Sequence, residues 1–176
     1  MSRRIIAAMV VAALAVVVVA ATTMAAPRRN FVTPLSGAEE VPVRDTMAHG
    51  VAIFQLSADG ESLSYRLIAS NIDNVIMAHI HIGPAGANGP ITVWLYPEDG
   101  PPPADAGGGR HNGVLATGTI TSDDLIGPLE GGSLADLVDA LGSGSAYVNV
   151  HTNDGSDPAN TGPGDFPGGE IRGQVD

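Results

Sequence analysis

The sequence of 176 residues contains no cysteine. A chain without cysteine forms no disulfide and no thiolate metal site, so its stability must come from packing and strand pairing. Any bound transition metal would have to be held by other side chains. Histidine is the best suited of these, and the chain has five histidines.

Positive charge is scarce as well. All eight basic residues are arginines, they stand against nineteen acidic residues, and the net charge at pH 7 is −11. The arginines are scattered along the chain and form no basic patch. Such a surface repels nucleic acid and anionic lipid, so neither is expected as a partner. The acidity is typical of a well-hydrated extracellular surface.

Recognised catalytic signatures are also absent. The run Gly142–Ser145 does not form a Gly-x-Ser-x-Gly nucleophile elbow. The chain has no phosphate loop, no His-Glu-x-x-His motif and no dinucleotide fingerprint. These absences favour a binding or structural module over an enzyme.

One long apolar segment stands at the N-terminus. Arg3 and Arg4 precede the uncharged run Ile5–Ala21, and small residues follow it. A basic stretch, an apolar stretch and a small-residue cleavage point are the parts of a secretory signal peptide. We predict that residues 1–25 are a signal peptide and that residues 26–176 form a single domain outside the cytoplasm.

An uncleaved anchor is the alternative for the same segment. The run Ile5–Ala21 approaches the ~20 residues that span a bilayer. Arg3 and Arg4 would stay in the cytoplasm in either case, so the body of the chain is expected to be exported. A membrane contact is expected only through this segment if it is not cleaved.

The rest of the chain predicts an all-β fold. Its many glycines and prolines separate short runs of β-branched and aromatic residues, as in a sandwich or barrel. One short helix is predicted at Ser133–Leu141, with Ser133 as its N-cap, and loops at Pro97–Asn112 and Asn153–Gly169. The prediction is an antiparallel, Greek-key-like β-sandwich. Its strands are Phe31–Leu35, Val51–Ser57, Ser62–Ala69, Val75–Ile82, Ile91–Leu95, Val114–Ile120, Ala146–His151 and Glu170–Val175.

Four motifs in order carry a family resemblance: Leu35–Pro42, Ala78–His81 with Gly83–Pro90, Tyr147–Thr152 and Gly169–Gln174. Together they resemble the CHRD domain, which is named after chordin, an extracellular antagonist of growth factors. The domain also occurs alone in secreted microbial proteins. The resemblance implies an extracellular all-β domain. It implies no particular activity, because chordin's antagonism belongs to a larger multidomain protein.

The sharpest candidate site is His79-Ile80-His81. A strand alternates its side chains, so both imidazoles would lie on one face, roughly 6.5–7 Å apart along the chain. Two imidazoles can converge on one ion, and His151 on a neighbouring strand is the candidate third ligand. Imidazole suits zinc and copper, which are the cofactors expected if the site holds a metal. His49 and His111 are weaker candidates, at a strand entrance and in a loop.

Two other interpretations of His79, His81 and His151 remain open. The three can be structural polar residues that hold the glycine-rich turn after Ile82. Alternatively, the His-x-His strand is similar in pattern to copper–zinc superoxide dismutases, which would make the chain a copper or zinc redox enzyme. The natural partner is left open between an extracellular protein, a polysaccharide and an ion.

Acidic residues near the C-terminus give weaker signals. The segment Asn153–Gly169, longer than the family's usual connection, contains four oxygen donors suited to calcium but lacks EF-hand order, so a solvated loop is favoured. Glu170 and Arg172 share a strand face and are expected to form cross-strand ion pairs. The four donors are Asp154, Asp157, Asn160 and Asp165.

Overall fold

The computed structural model of the protein describes residues 29–98, 100 and 108–176. Within them the chain forms eight strands and one α-helix, α1, at Leu134–Gly142. The predicted signal peptide, residues 1–25, lies outside the described residues. The strands are β1 (Asn30–Ser36), β2 (His49–Leu56), β3 (Leu63–Asp73), β4 (Val75–Ile82), β5 (Ile91–Tyr96), β6 (Arg110–Ile120), β7 (Ala146–Thr152) and β8 (Ile171–Val175).

The strands form an antiparallel array in the order β5-β4-β7-β8-β1-β2-β3-β6. The last strand, β8, returns to lie beside β1, which gives β8-β1-β2-β3 the order of a Greek key. β1 and β8 pair only where Ser36 lies opposite Arg172, so this pair joins two four-stranded halves. Both halves contribute to one hydrophobic core, and the edge strands β5 and β6 touch. The predicted all-β sandwich is confirmed.

Alternation of side chains explains why these segments pair as strands. In β1, Phe31, Thr33 and Leu35 are buried while the residues between them face solvent. β2 and β3 are joined by a hairpin turn, in which Gly60 adopts a φ of 81° that favours glycine. One face of this half therefore fills the core and the other is left to water.

The helix α1 begins as predicted. The Ser133 amide and hydroxyl both donate to the Asp136 carboxylate, at 2.8 and 2.7 Å, which caps the first turn. Four apolar residues at helical spacing then pack into the core, and the helix covers part of it. They are Leu134, Leu137, Val138 and Leu141.

Most strand ends lie within two residues of their predicted positions, but β3 and β6 each extend four residues further. β3 continues to Asp73, and β6 begins at Arg110 rather than at the predicted Val114. The extension arises where Ile72 pairs with His111 and Asp73 with Arg110, beyond irregularities in the ladder. The prediction of His111 in a loop is therefore wrong. The start of β6 lies between glycines and is extended because it pairs with the end of β3, which its local composition does not indicate.

In the half that contains β5, the three strands β4, β7 and β8 are covered on both faces. All seven residues of β7 are buried. One face belongs to the hydrophobic core, and we call the opposite face the polar layer. Loops at residues 83–90 and 153–170 lie over it and hydrogen-bond to it, and the loop at residues 37–48 is joined to the second of these through Thr46 and Glu170. The polar layer consists of His79, His81, Tyr147, Asn149, His151, Arg172 and Gln174.

Candidate metal centre

Strand register brings the predicted histidines together. β4 pairs antiparallel with β7, with His79 opposite Asn149 and His81 opposite Tyr147. His151 lies two pairs further along, opposite Met77. Because alternate residues share a face, all three histidines project into the polar layer. The structure therefore has the two features expected from the sequence: His79 and His81 share a face, and His151 lies on an adjacent strand.

The three rings form a compact cluster. The ring centroids are 5.4 Å apart for His79–His81, 5.0 Å for His79–His151 and 6.3 Å for His81–His151. One ring nitrogen from each residue lies within 4.8 Å of the others, and His79 Nδ1 is 3.2 Å from His151 Nε2. Zinc–nitrogen bonds of 2.0–2.1 Å in tetrahedral geometry separate ligand nitrogens by roughly 3.4 Å. The His79–His151 pair is close to this separation, and the three ligand nitrogens all lie within 4.8 Å of one another.

Backbone carbonyls fix the tautomers of two rings. His81 Nδ1 lies 2.9 Å from the Gly89 oxygen, and His151 Nδ1 lies 2.8 Å from the Pro167 oxygen. A carbonyl oxygen only accepts, so both Nδ1 atoms donate, and both Nε2 atoms carry a lone pair. A carbonyl that orients the second nitrogen of a histidine is the usual support of a metal ligand.

The cluster is closed to solvent. His79 is fully buried against the Trp94 ring, and His81 and His151 are each 7% exposed. Within the described residues, the Nε2 atoms of His79 and His81 have no hydrogen-bond partner. A buried polar atom without a partner is costly, and a bound cation would satisfy it.

Burial also keeps the imidazoles neutral. Burial, followed by the neighbouring His151 and His81 rings, lowers the pKa of His79 to about 3. Burial lowers the pKa of His151 to about 4 and moves the pKa of His81 in the same direction. Neutral imidazole is the form that coordinates metal, so the three side chains are ready to bind at neutral pH.

Arg172 supports the cluster from β8. Its side chain is 1% exposed and donates to the carbonyl oxygens of Pro84 and Ala87 at 3.1 and 3.0 Å. Its guanidinium carbon lies 3.4 Å from the centroid of the Tyr147 ring, which stacks on His81 at 4.7 Å with an interplanar angle of 6°. Arg172 thus fixes the loop whose Gly89 carbonyl orients His81, and also the ring beside it.

The predicted ion pairs of Glu170 and Arg172 are wrong. Arg172 meets neutral carbonyls, whereas Glu170 accepts hydrogen bonds from the hydroxyls of Thr46 and Thr152 and from the Gly164 amide. Strand alternation correctly predicted that the two side chains share a face. Most of their partners come from loops distant in sequence, whose positions the sequence did not indicate.

The other predicted site residues stay apart from the cluster. His49 is exposed at the start of β2, and His111 lies in β6. Three of the four oxygen donors in the C-terminal loop are exposed, while buried Asp165 accepts from Thr161. Among the described residues, the only group of three or more His, Cys, Asp or Glu side chains close enough to hold an ion is His79, His81 and His151.

Two further buried polar residues lie at the site, and the sequence indicated only one of them. Asn149 is 3% exposed, and its Oδ1 lies 3.0 Å from His151 Nε2. Glu40 is also 3% exposed, and burial raises its pKa to about 7 against smaller opposing effects that include Asn149. Alternation along β7 places Asn149 on the same face as His151. Nothing local indicated Glu40, which reaches the site from the loop after β1.

The molecule is thus an all-β sandwich with a loop-covered polar layer that holds three neutral histidines. A family model for the CHRD domain matches residues 31–175. The chain belongs to the CHRD domain family, as its four motifs implied. A search of curated proteins and one of solved structures gave no match. Among the described residues, no helix is both long and apolar enough to cross a membrane.

Proposed function

We propose that this protein is an extracellular CHRD-domain module that binds one transition-metal ion, zinc or copper, through His79, His81 and His151. The observation that carries the proposal is the set of buried imidazole nitrogens turned toward one another, two of them on rings oriented by backbone carbonyls. Neutral imidazole suits both metals, and the chain offers no thiolate.

A purely structural role accounts for the site less well. Structural histidines hydrogen-bond through both nitrogens when buried, because an unpaired polar atom costs roughly 1–3 kcal/mol. Here two Nε2 atoms find no partner among the described residues. A cation bound by His81 Nε2 would remove that cost for His81, whereas His79 already faces His151 Nε2 through its Nδ1 atom.

Metal analysis of the purified protein tests the proposal. Protein prepared without chelators or a His tag is expected to carry about one zinc or copper ion per chain. The His79→Ala/His81→Ala variant is expected to lose it. The matched control, His49→Ala/His111→Ala, removes the same number of histidines away from the site and is expected to keep it. Equal, substoichiometric metal in all three proteins would refute the proposal and leave the histidines as structural residues.

A further inference from the structure

Asn149 occupies the centre of the polar layer. It lies on β7, with His79 opposite it on β4 and Arg172 opposite it on β8. Its side chain is buried, and its Oδ1 is 3.0 Å from His151 Nε2. The amide oxygen therefore faces the same space as the histidine nitrogens.

The contact between Asn149 and His151 is unfavourable without a positive charge. Because His151 Nδ1 donates to the Pro167 oxygen, His151 Nε2 carries a lone pair. Asn149 Oδ1 is also an acceptor, so two acceptors face each other at 3.0 Å. Protonation of His151 would relieve this, but burial opposes a charged ring. A metal ion bound by both atoms relieves it directly.

The other end of the amide is turned away from the histidines. A Cβ added at Gly169 would lie 2.3 Å from Glu40 Oε1 and 3.0 Å from Asn149 Nδ2, so these two atoms flank the same point. An amide nitrogen donates and a carboxylate accepts, so the nitrogen favours the side of Glu40. Glu40 Oε1 has no hydrogen-bond partner among the described residues, so the orientation of the amide rests on this preference and on the 3.0 Å approach of Oδ1 to His151 Nε2.

We propose that Asn149 Oδ1 is the fourth ligand and completes a closed site with His79, His81 and His151. This inference rests on the metal binding proposed above and adds its coordination. Sites with four protein ligands are structural, whereas catalytic zinc sites keep a position for water or substrate. A closed site fits a binding module whose metal joins β4 to β7, and it argues against the redox enzyme.

Cobalt(II) and zinc binding to Asn149 variants test this assignment. The Asn149→Leu variant keeps the size of the side chain but has no donor, and Asn149→Ser has a hydroxyl too short to reach the ion. We expect each to bind zinc roughly 10- to 100-fold more weakly and to alter the visible spectrum of bound cobalt. Asn149→Asp keeps an oxygen donor and is expected to retain the four-coordinate spectrum. Asn30→Leu, at an exposed position of β1, controls for the added leucine.

The outcomes separate the two proposals. Zinc affinity within twofold of wild type in both donor-free variants, with an unchanged cobalt spectrum, would overturn the role of Asn149 while metal binding stands. That result would also leave a coordination position open. Absence of metal binding by the wild-type protein would overturn the proposed function itself. Because Asn149→Ser and Asn149→Asp introduce no bulk, the test does not depend on the folding of Asn149→Leu.

Discussion

At the scale of single residues, burial determines how the histidines behave. An ordinary imidazole titrates near pH 6.5, so the residue type alone indicates loss of a bound metal near that pH. The pKa values of His79 and His151 lie at about 3 and 4 because the charged ring would be poorly solvated. Protons therefore compete with a metal only at lower pH than the sequence indicated.

The same shifts predict how the stability of the metal-free protein depends on pH. The folded-state pKa values of about 3 and 4 lie below the unfolded value of 6.5, so the unfolded chain binds more protons in that interval. The free energy of unfolding should rise with pH from about 4 to 6.5, and the contribution of the histidines is lost as the pH falls through this window. Urea unfolding between pH 4 and 8 measures it.

The control for this prediction is the His79→Gln/His151→Gln variant, which should show a weaker dependence. Glu40 contributes with the opposite sign, because its folded pKa of about 7 exceeds the ordinary 4.5 and its contribution declines as the pH rises. Both proteins contain Glu40, so its contribution cancels when the variant's pH profile of unfolding free energy is subtracted from that of wild type. Identical profiles for the two proteins would contradict the neutral, buried state of the histidines.

At the scale of elements, the loop at residues 83–90 sets the orientation of His81. A Cβ added at Gly89 would lie 1.8 Å from the Ile82 carbonyl oxygen, so no larger residue fits without moving the loop. Gly89→Ala is expected to lower the free energy of unfolding by about 1–3 kcal/mol and to weaken metal binding, because the carbonyl that accepts from His81 is displaced.

Gly108→Ala is the matched control for Gly89→Ala. Among the described residues, no atom outside the chain neighbours of Gly108 lies within 4 Å of a Cβ added there, so this variant should resemble wild type. Thermal unfolding and zinc titration of both variants measure the two effects. Equal stability and affinity of the two variants would show that the loop adapts and does not position His81.

Local periodicity was enough to predict most of the elements. Alternation placed His79 and His81 on one face, and the helix followed from a cap and an apolar stripe. The ends of β3 and β6 were missed because their pairing crosses irregularities of the ladder. The partners of Arg172 and the approach of Glu40 were missed because they depend on loops distant in sequence. Such contacts form only when the whole chain has folded.

At the scale of the whole molecule, export remains a prediction from the N-terminus. The basic residues and apolar run before Ala25 predict a mature protein that begins near Ala26 or Pro27. N-terminal sequencing of the exported protein measures the cleavage site. Recovery of only the full-length chain, in the membrane fraction, would show instead that the run Ile5–Ala21 is an anchor.

The central claim is that three histidines from β4 and β7 hold one metal ion. Anomalous diffraction at the zinc edge, from crystals grown with zinc, tests it most directly. The account predicts one peak among His79, His81 and His151, about 2.0–2.1 Å from one nitrogen of each ring. Zinc bound only at surface carboxylates, with no peak among the three rings, would contradict it.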